Sequence, residues 1–255
     1  MNAWHNEKLL NGIANGLFAV AGLVAGYFAV VLAATWPGLP LRVVTMEGDV
    51  VHVTEDAVSA QLEGRVQGNF LGADLEAVRA ALQELPWVRR VEVRRQWPDR
   101  IAVRIEEHVA LARWPGDRLV NTFGELFVGA AHPELPLLTG PAGSEREVAE
   151  RYRRFRELLA PIGGDPTQVL LSPRQAWQVR VALPDRPALT LELGRDQPKQ
   201  PIDDRLARFI AAYPSTVGRL AASIDYVDLR YPNGFALRVP DLKWDDVPEP
   251  KRKRT

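Results

Sequence analysis

Residues 75–107 read LEAVRAALQELPWVRRVEVRRQWPDRIAVRIEE, and the hydrophobic period changes partway along this stretch. The first third repeats apolar residues at helical spacing, at Leu75, Val78, Ala81, Leu82 and Leu85. Pro86 then ends the helix. Apolar residues at 87, 88, 91 and 93 lead up to QWPDR (96–100), which supplies a turn. After it, Ile101, Val103 and Ile105 alternate with Ala102, Arg104 and Glu106. The stretch predicts a helix followed by a β-hairpin.

The residues upstream complete a small α+β unit. RVVTMEG (42–48) predicts a strand that ends in a glycine turn. Thr54 and Asp74 are suitable N-caps for helices that begin at residues 55 and 75. The resulting order over residues 42–107 is strand, helix, helix, strand, strand. We expect three strands with two helices on one face.

The residues from Ala110 onward predict a second domain that is rich in strands. The predicted strands lie at 118–121, 126–128, 135–138, 168–172, 176–183, 187–193, 224–231 and 235–240, and the helices at 145–159 and 199–213. Pro232-Asn233-Gly234 separates the last two strands, and an Asn-Gly step is a strong hairpin signal. We expect an antiparallel sheet flanked by two helices over 110–240, then a disordered basic tail at 241–255.

An uncharged run near the N-terminus, GLFAVAGLVAGYFAVVLAA (16–34), predicts a membrane anchor. At about 1.5 Å per residue its helix spans roughly 28 Å, close to the thickness of the bilayer core. We expect a transmembrane helix at 13–36, with residues 1–12 in the cytoplasm and the body outside. A cleaved signal peptide and a buried core helix are the alternatives, but the run is longer than the usual signal core and lacks polar residues.

Composition and motifs give no sign of catalysis. The chain has no cysteine, which excludes disulfides, thiolate metal sites and cysteine nucleophiles. Its four histidines are scattered, and it contains neither a phosphate-binding glycine loop nor a nucleophile elbow. Basic and acidic residues balance at 32 each, so charge does not point to nucleic acid. We predict no catalytic residue, no cofactor and no metal site.

Several short stretches match a known family in residue identity and in their order along the chain. They include Leu85-Pro86-Trp87-Val88-Arg89, Arg94-Arg95-Gln96-Trp97-Pro98, Glu106-Glu107-His108, Gly124-Glu125-Leu126-Phe127 and Tyr226-Val227-Asp228-Leu229-Arg230-Tyr231. Over residues 13–239 the chain resembles the FtsQ (DivIB) family of bacterial cell-division proteins. The resemblance implies that the unit at 42–109 is a POTRA domain. It also implies a single-pass protein of the inner membrane with a periplasmic body.

The resemblance further implies a function that depends on binding. Family members are essential scaffolds that bring the single-pass proteins FtsB and FtsL to the division septum and help control septal peptidoglycan synthesis. The POTRA domain and anchor would contact other division proteins. The alternative from the residues alone is a membrane-anchored periplasmic enzyme that acts on the cell wall. A third possibility, a secretion or assembly POTRA protein, lacks room for a barrel after residue 107.

Site residues are also carried over from the resemblance. Family members bind FtsB at the last strands, where the partner adds a strand to the open edge. The matching positions here are Tyr231, Arg174, Arg230, Asn233, Gly234, Phe235 and Leu237. Tyr231 matches a contact tyrosine and Arg174 an arginine that pairs with a partner carboxylate. The residues alone leave two alternatives open, a core or rim aromatic for Tyr231 and a solvated surface arginine for Arg174. A family tryptophan after the last strand is replaced here by Val239-Pro240.

Overall fold

A computed structural model describes residues 7–35, 43–48, 50–65, 70, 72–97, 99–130, 132–184, 186–219 and 224–239. The chain divides into two compact units, residues 1–107 and 108–255. Parts of the predicted segments lie outside the described residues, namely residues 1–6 of the cytoplasmic segment, Trp36 at the end of the transmembrane helix and the tail at 241–255. The fold class predicted from the sequence, α+β with one apolar N-terminal helix, is confirmed.

The first helix, α1 (Glu7–Thr35), contains the apolar run. Its segment Asn11–Leu32 is 22 residues long, and by length and composition it could cross a membrane. No residue in the apolar window of this segment is buried by the rest of the chain that the structure describes. This exposure is what a lipid-facing helix shows and a core helix does not.

The small α+β unit has the predicted order. It consists of β1 (Val43–Glu47), α2 (Glu55–Leu62), α3 (Leu75–Gln83), β2 (Val88–Gln96) and β3 (Arg100–Glu107). The sheet order is β1-β3-β2, with β1 parallel and β2 antiparallel to β3. Both predicted caps are present, because Thr54 accepts a hydrogen bond from the Ala57 N–H at 3.2 Å and Asp74 accepts from Glu76 and Ala77.

A buried carboxylate closes this unit at the end of β3. Glu107, whose side chain is 8 % exposed, accepts hydrogen bonds from the His52 N–H at 2.9 Å and the Val53 N–H at 2.7 Å. The His52 ring lies 3.0 Å from the same carboxylate through Nδ1 and stacks on Trp87 with 3.7 Å between ring centroids. Trp87 has a φ of 71°, so this stack holds a strained backbone position.

Burial and hydrogen bonding act on Glu107 in opposite directions. Burial raises the pKa of this carboxyl, but the hydrogen bonds from His52 and the backbone N–H groups of residues 51–53 outweigh it. The pKa therefore lies below its ordinary value of 4.5. A carboxyl with a lower pKa in the folded state stabilises the fold only while it is ionised.

The second unit contains a nine-stranded sheet. Its strands are β4 (Ala110–Trp114), β5 (Arg118–Asn121), β6 (Leu126–Phe127), β7 (Leu137–Thr139), β8 (Asp165–Leu171), β9 (Ala176–Leu183), β10 (Arg186–Arg195), β11 (Tyr226–Asp228) and β12 (Ala236–Arg238). The order across the sheet is β12-β11-β10-β9-β8-β7-β4-β5-β6. The sequence did not predict β4, because alanine at two of its five positions weakens the strand signal.

This sheet is mixed, whereas the sequence predicted an antiparallel one. Three neighbouring pairs are parallel, β10 with β11, β7 with β8, and β4 with β7. The first two pairs have a helix between their strands, α5 (Ile202–Ala212) and α4 (Glu145–Leu159) respectively. A helical crossover returns the chain in the same direction, so the strands that it connects become parallel neighbours.

Both helices pack on one face of the sheet and form its core. Val148, Phe155 and Leu159 of α4 and Leu206 and Phe209 of α5 are fully buried. These side chains pack against the buried side chains of β8, β9 and β10, among them Val169, Val179 and Leu191. The Phe155 ring is edge-on to Trp177, with 5.8 Å between centroids. This core fixes the positions of β10 and α5, on which the edge of the sheet depends.

The core at Phe155 gives a first prediction. Phe155→Ala should lower the free energy of unfolding of the second unit by about 3–5 kcal/mol, because it removes a fully buried ring and leaves a cavity. Urea titration followed by the amide NMR signals of β9 measures the loss. Arg156→Ala is the matched control, since its side chain is 66 % exposed and should cost less than about 1 kcal/mol. Equal effects of the two substitutions would contradict the packing described.

The Glu107 network gives a second prediction. Glu107→Gln should destabilise the first unit by about 2 kcal/mol at pH 7, because hydrogen bonds to a charged acceptor are lost. Since the folded pKa is depressed, the difference between wild type and variant should be complete above pH 4.5 and shrink as pH falls through the folded pKa. Urea titration followed by β3 amide signals from pH 7 to pH 3 measures it. Glu106→Gln, at a side chain 45 % exposed, is the control. A pH-independent difference would be inconsistent with this role.

Candidate partner-binding edge

The sheet of the second unit ends at β12, which pairs on one side only among the described residues. Its neighbour is β11, with Tyr226 opposite Arg238 and Asp228 opposite Ala236. The predicted antiparallel pairing of the last two strands is thus confirmed. Seven residues, 229–235, connect the strands, so the connection is longer than the predicted Pro232-Asn233-Gly234 join. Gly234 does not have a positive φ, which a two-residue Asn-Gly turn requires.

The hydrogen-bonding direction of β12 follows from that of β11. The Thr190 N–H donates to the Asp225 carbonyl at 3.0 Å, and the Leu229 N–H donates to the Glu192 carbonyl at 2.9 Å. The N–H and C=O groups of successive residues point to opposite sides of a strand. Those of residues 226 and 228 therefore point toward β12. The backbone groups of their partners Arg238 and Ala236 point toward β11. The N–H and C=O of Leu237 therefore point away from the sheet, where an added strand would pair.

The side chains of β12 and its approach hold the strand against the body. Phe235 lies edge-on to Phe209 of α5, with 5.4 Å between ring centroids. Leu237 and Val239 also pack on the core while staying partly exposed. The side chains of two predicted contact residues, Phe235 and Leu237, therefore have a structural role. A partner would contact these residues chiefly through their backbone N–H and C=O groups.

The connecting segment 229–235 presents the exposed part of the predicted site. Tyr231 is 55 % exposed, and Asn233 and Gly234 are exposed beside it. The Arg208 guanidinium of α5 donates to the Pro232 carbonyl at 2.6 Å and holds the segment against the helix. A Cβ at Gly234 would meet nothing within 4 Å, so the space beside it is open.

Arg230 is engaged within the chain. Its guanidinium donates to both oxygens of Asp228, at 2.9 Å from Nε and 2.6 Å from Nη2. This hydrogen bonding holds the pKa of Asp228 below its ordinary value despite burial, and it raises the pKa of Arg230. The Arg230 side chain also crosses Gly194, where a Cβ would lie 2.8 Å from Arg230 Cγ. Gly194, with a φ of 67°, is therefore needed for the Arg230 position.

Arg174 lies in the turn between β8 and β9, at the same end of the sheet. Ser172 fixes this turn, since its hydroxyl accepts a hydrogen bond from the Ala176 N–H at 3.0 Å. Ala176 lies opposite Arg195 and Trp177 opposite Gly194, which places Arg174 near Arg195 and, one strand further, Arg230. Three strand spacings of about 4.8 Å put β9 some 14 Å from β12.

This end of the sheet is basic. Among the described residues, Arg174, Arg195 and Arg208 have no carboxylate within ion-pair distance. Arginine suits the recognition of carboxylates because its donors form a planar fork. The arrangement can therefore take an extended chain along β12 whose acidic side chains reach the arginines. No group of His, Asp or Glu suited to a metal ion occurs in the described part of the chain.

Three supports of this site were missed by sequence reasoning. They are Asp228, Arg208, and the pair of Arg238 with Asp225, which join at 2.7 Å. Asp228 and Arg230 are two apart in the predicted strand at 224–231, and this spacing indicated that their side chains lie on one face. Arg208 had no local signal, because its contact joins a helix to a segment 24 residues later.

Comparison with known proteins agrees with both units. Residues 39–108 match the family described as POTRA domain, FtsQ-type, and residues 112–230 match Cell division protein FtsQ/DivIB, C-terminal. The chain is 40 % identical over 244 residues to the Cell division protein FtsQ of Burkholderia pseudomallei, an alignment that covers 94 % of this chain and 96 % of the relative. For that of Nitrosospira multiformis the identity is 41 % over 240 residues, covering 92 % and 98 %. The chain belongs to the FtsQ/DivIB family of cell division proteins.

Proposed function

We propose that this chain is a membrane-anchored scaffold of the division machinery that recruits FtsB and FtsL through the edge strand β12. The main support for the proposal is the backbone N–H and C=O of Leu237, which point outward from the edge strand of the sheet. In this role the protein makes and breaks no covalent bond. It links early and late division proteins at the septum and helps control septal peptidoglycan synthesis through the proteins that it holds.

The proposed location follows from α1. A 22-residue apolar segment near the N-terminus suits an inner-membrane anchor, with residues 1–12 in the cytoplasm and both folded units in the periplasm. The POTRA domain and the anchor then provide further contacts with other division proteins.

The proposed binding mode is strand addition. A partner strand beside β12 satisfies backbone donors and acceptors that otherwise face water, and each hydrogen bond contributes about 1 kcal/mol net. Tyr231 adds a large exposed surface with few rotatable bonds next to that strand. Arg174 offers an accessible guanidinium, whereas the Arg230 guanidinium already donates hydrogen bonds to Asp228.

Tyr231 gives the first test of this site. Tyr231→Ala should weaken binding of the periplasmic segment of FtsB by about 2 kcal/mol or more, because a hot-spot aromatic is lost. Calorimetry on the full-length chain in nanodiscs measures the affinity. Glu150→Lys is the matched control, since Glu150 is exposed on α4, away from β12, and should leave affinity unchanged.

Two results would count against the proposal. Unchanged affinity of a folded Tyr231→Ala variant would remove Tyr231 from the site. Failure of folded wild type to bind FtsB, with or without FtsL, would contradict recruitment itself. The alternative of an anchored cell-wall enzyme would then be tested directly by incubation with purified peptidoglycan.

Leu237 tests the strand addition separately. Leu237→Pro should abolish measurable partner binding, because proline removes the outward N–H, whereas an edge strand tolerates proline at such a position. Leu237→Ala is the comparison, since it loses the same side-chain packing but keeps the N–H. Calorimetry with both variants, after circular dichroism shows that each is folded, gives the result. Equal affinities for the two variants would mean that β12 is not extended by the partner.

A further inference from the structure

Trp97 stands out among the tryptophans of the chain. It directly follows the last residue of β2, and it is 81 % exposed. The other tryptophans whose side chains the structure describes, Trp87, Trp114 and Trp177, are 8 %, 5 % and 2 % exposed. An indole has a large apolar surface and one N–H donor, so it is most stable where one side is apolar and the other is wet.

The strand register places Trp97 at the end of its unit nearest to the anchor. β1 begins at Val43, which lies directly beside Arg100, the first residue of β3. The hairpin tip at Trp97 is therefore adjacent to the start of β1. The anchor helix ends at Thr35, and the eight residue steps from Thr35 to Val43 extend at most about 29 Å. Chain connectivity thus limits how far the tip can lie from the membrane end of α1.

The tip is also basic and firmly held. Residues 94–100 contain three arginines and one aspartate, a net formal charge of +2. Arg94 pairs with Glu47 at 2.9 Å, and Arg95 donates to the carbonyls of Phe70 and Ala73 at 3.0 and 2.7 Å. The Arg100 side chain is 55 % exposed and is 4.0 Å from its neighbour Asp99, so it remains accessible to phosphate groups.

We propose that the hairpin tip, with Trp97 and Arg100, rests in the phospholipid interface of the membrane in which α1 is anchored. Trp97 takes the headgroup level, where tryptophan is enriched in membrane proteins, and Arg100 contacts lipid phosphate. Because Arg95 ties the tip to residues 70 and 73, docking fixes the tilt of the whole β1-β3-β2 sheet on the bilayer. The inference depends on α1 as an anchor and is independent of FtsB binding.

The chain provides a matched control at the opposite end of the same sheet. Val51 is 82 % exposed, almost the same fraction as Trp97, and the following residue, His52, binds Glu107 at the far end of β3. The seven steps along β3 from Arg100 to Glu107 span about 23 Å. A probe near Val51 should therefore lie well outside the interface when the tip is docked.

The test uses single cysteines, since the natural chain has none. Gln96→Cys and Val51→Cys are labelled with an environment-sensitive fluorophore in the full-length chain, in nanodiscs of phosphatidylethanolamine and phosphatidylglycerol that carry nitroxide headgroup lipid. Only chains that co-purify with nanodiscs are measured, so the anchor is inserted in every sample. The label at 96 should be quenched at least about twofold more than that at 51, as expected for an interfacial site.

A second comparison isolates the tryptophan. Adding Trp97→Ser to the Gln96→Cys chain should lower quenching at 96 toward the value at 51, and Arg100→Glu should lower it further. Trp97 and Arg100 are both largely exposed, so we expect these substitutions to leave the fold intact, which thermal unfolding checks. The proposal is overturned if the labels at 96 and 51 are quenched equally, or if Trp97→Ser leaves quenching at 96 unchanged. The latter result would instead mean that the short linker after α1, and not Trp97, keeps the tip near the lipid.

Discussion

The parallel pairing of β10 with β11 is the constraint on which the candidate site depends. Thr190, Leu191 and Glu192 pair with residues 226–228 because α5 carries the chain back across one face of the sheet. The next strand, β12, then has a neighbour on only one side among the described residues. Asp228, Arg230 and Gly194 interlock at the end of that pair, and Arg208 of α5 holds the connecting segment. The core under α5 therefore determines where the open edge lies.

The two units use carboxylates in a similar way. Glu107 ends β3 and Asp228 ends β11, and each accepts hydrogen bonds that hold its pKa below the ordinary value. Each carboxylate accepts from backbone N–H groups of an irregular segment, which are those of His52 and Val53 for Glu107 and that of Arg230 for Asp228. A carboxylate that accepts several N–H hydrogen bonds can order such a segment, so the segment needs no strand partner for its backbone. In both units, the last strand residue thus also sets the course of the segment that it contacts.

Local patterns predicted much of this fold and less of the site. The βααββ order, both N-caps and the bounds of α2, α4 and β9 follow from periodicity and capping residues. The parallel pairs could not be found in this way, because strand order depends on contacts between residues far apart in sequence. Phe235 and Leu237 show the same limit. Their positions at the edge were predicted, but their packing on Phe209 and the core was not.

Hydrogen–deuterium exchange across residues 226–239, with and without the periplasmic segment of FtsB, measures directly whether the partner adds a strand to β12. An added strand would slow exchange at the outward-facing amides of residues 235, 237 and 239, while the amides of 236 and 238, already paired with β11, would change little. That alternating pattern is expected if the partner adds a strand to β12. Protection elsewhere in the second unit, with β12 unchanged on binding, would contradict it.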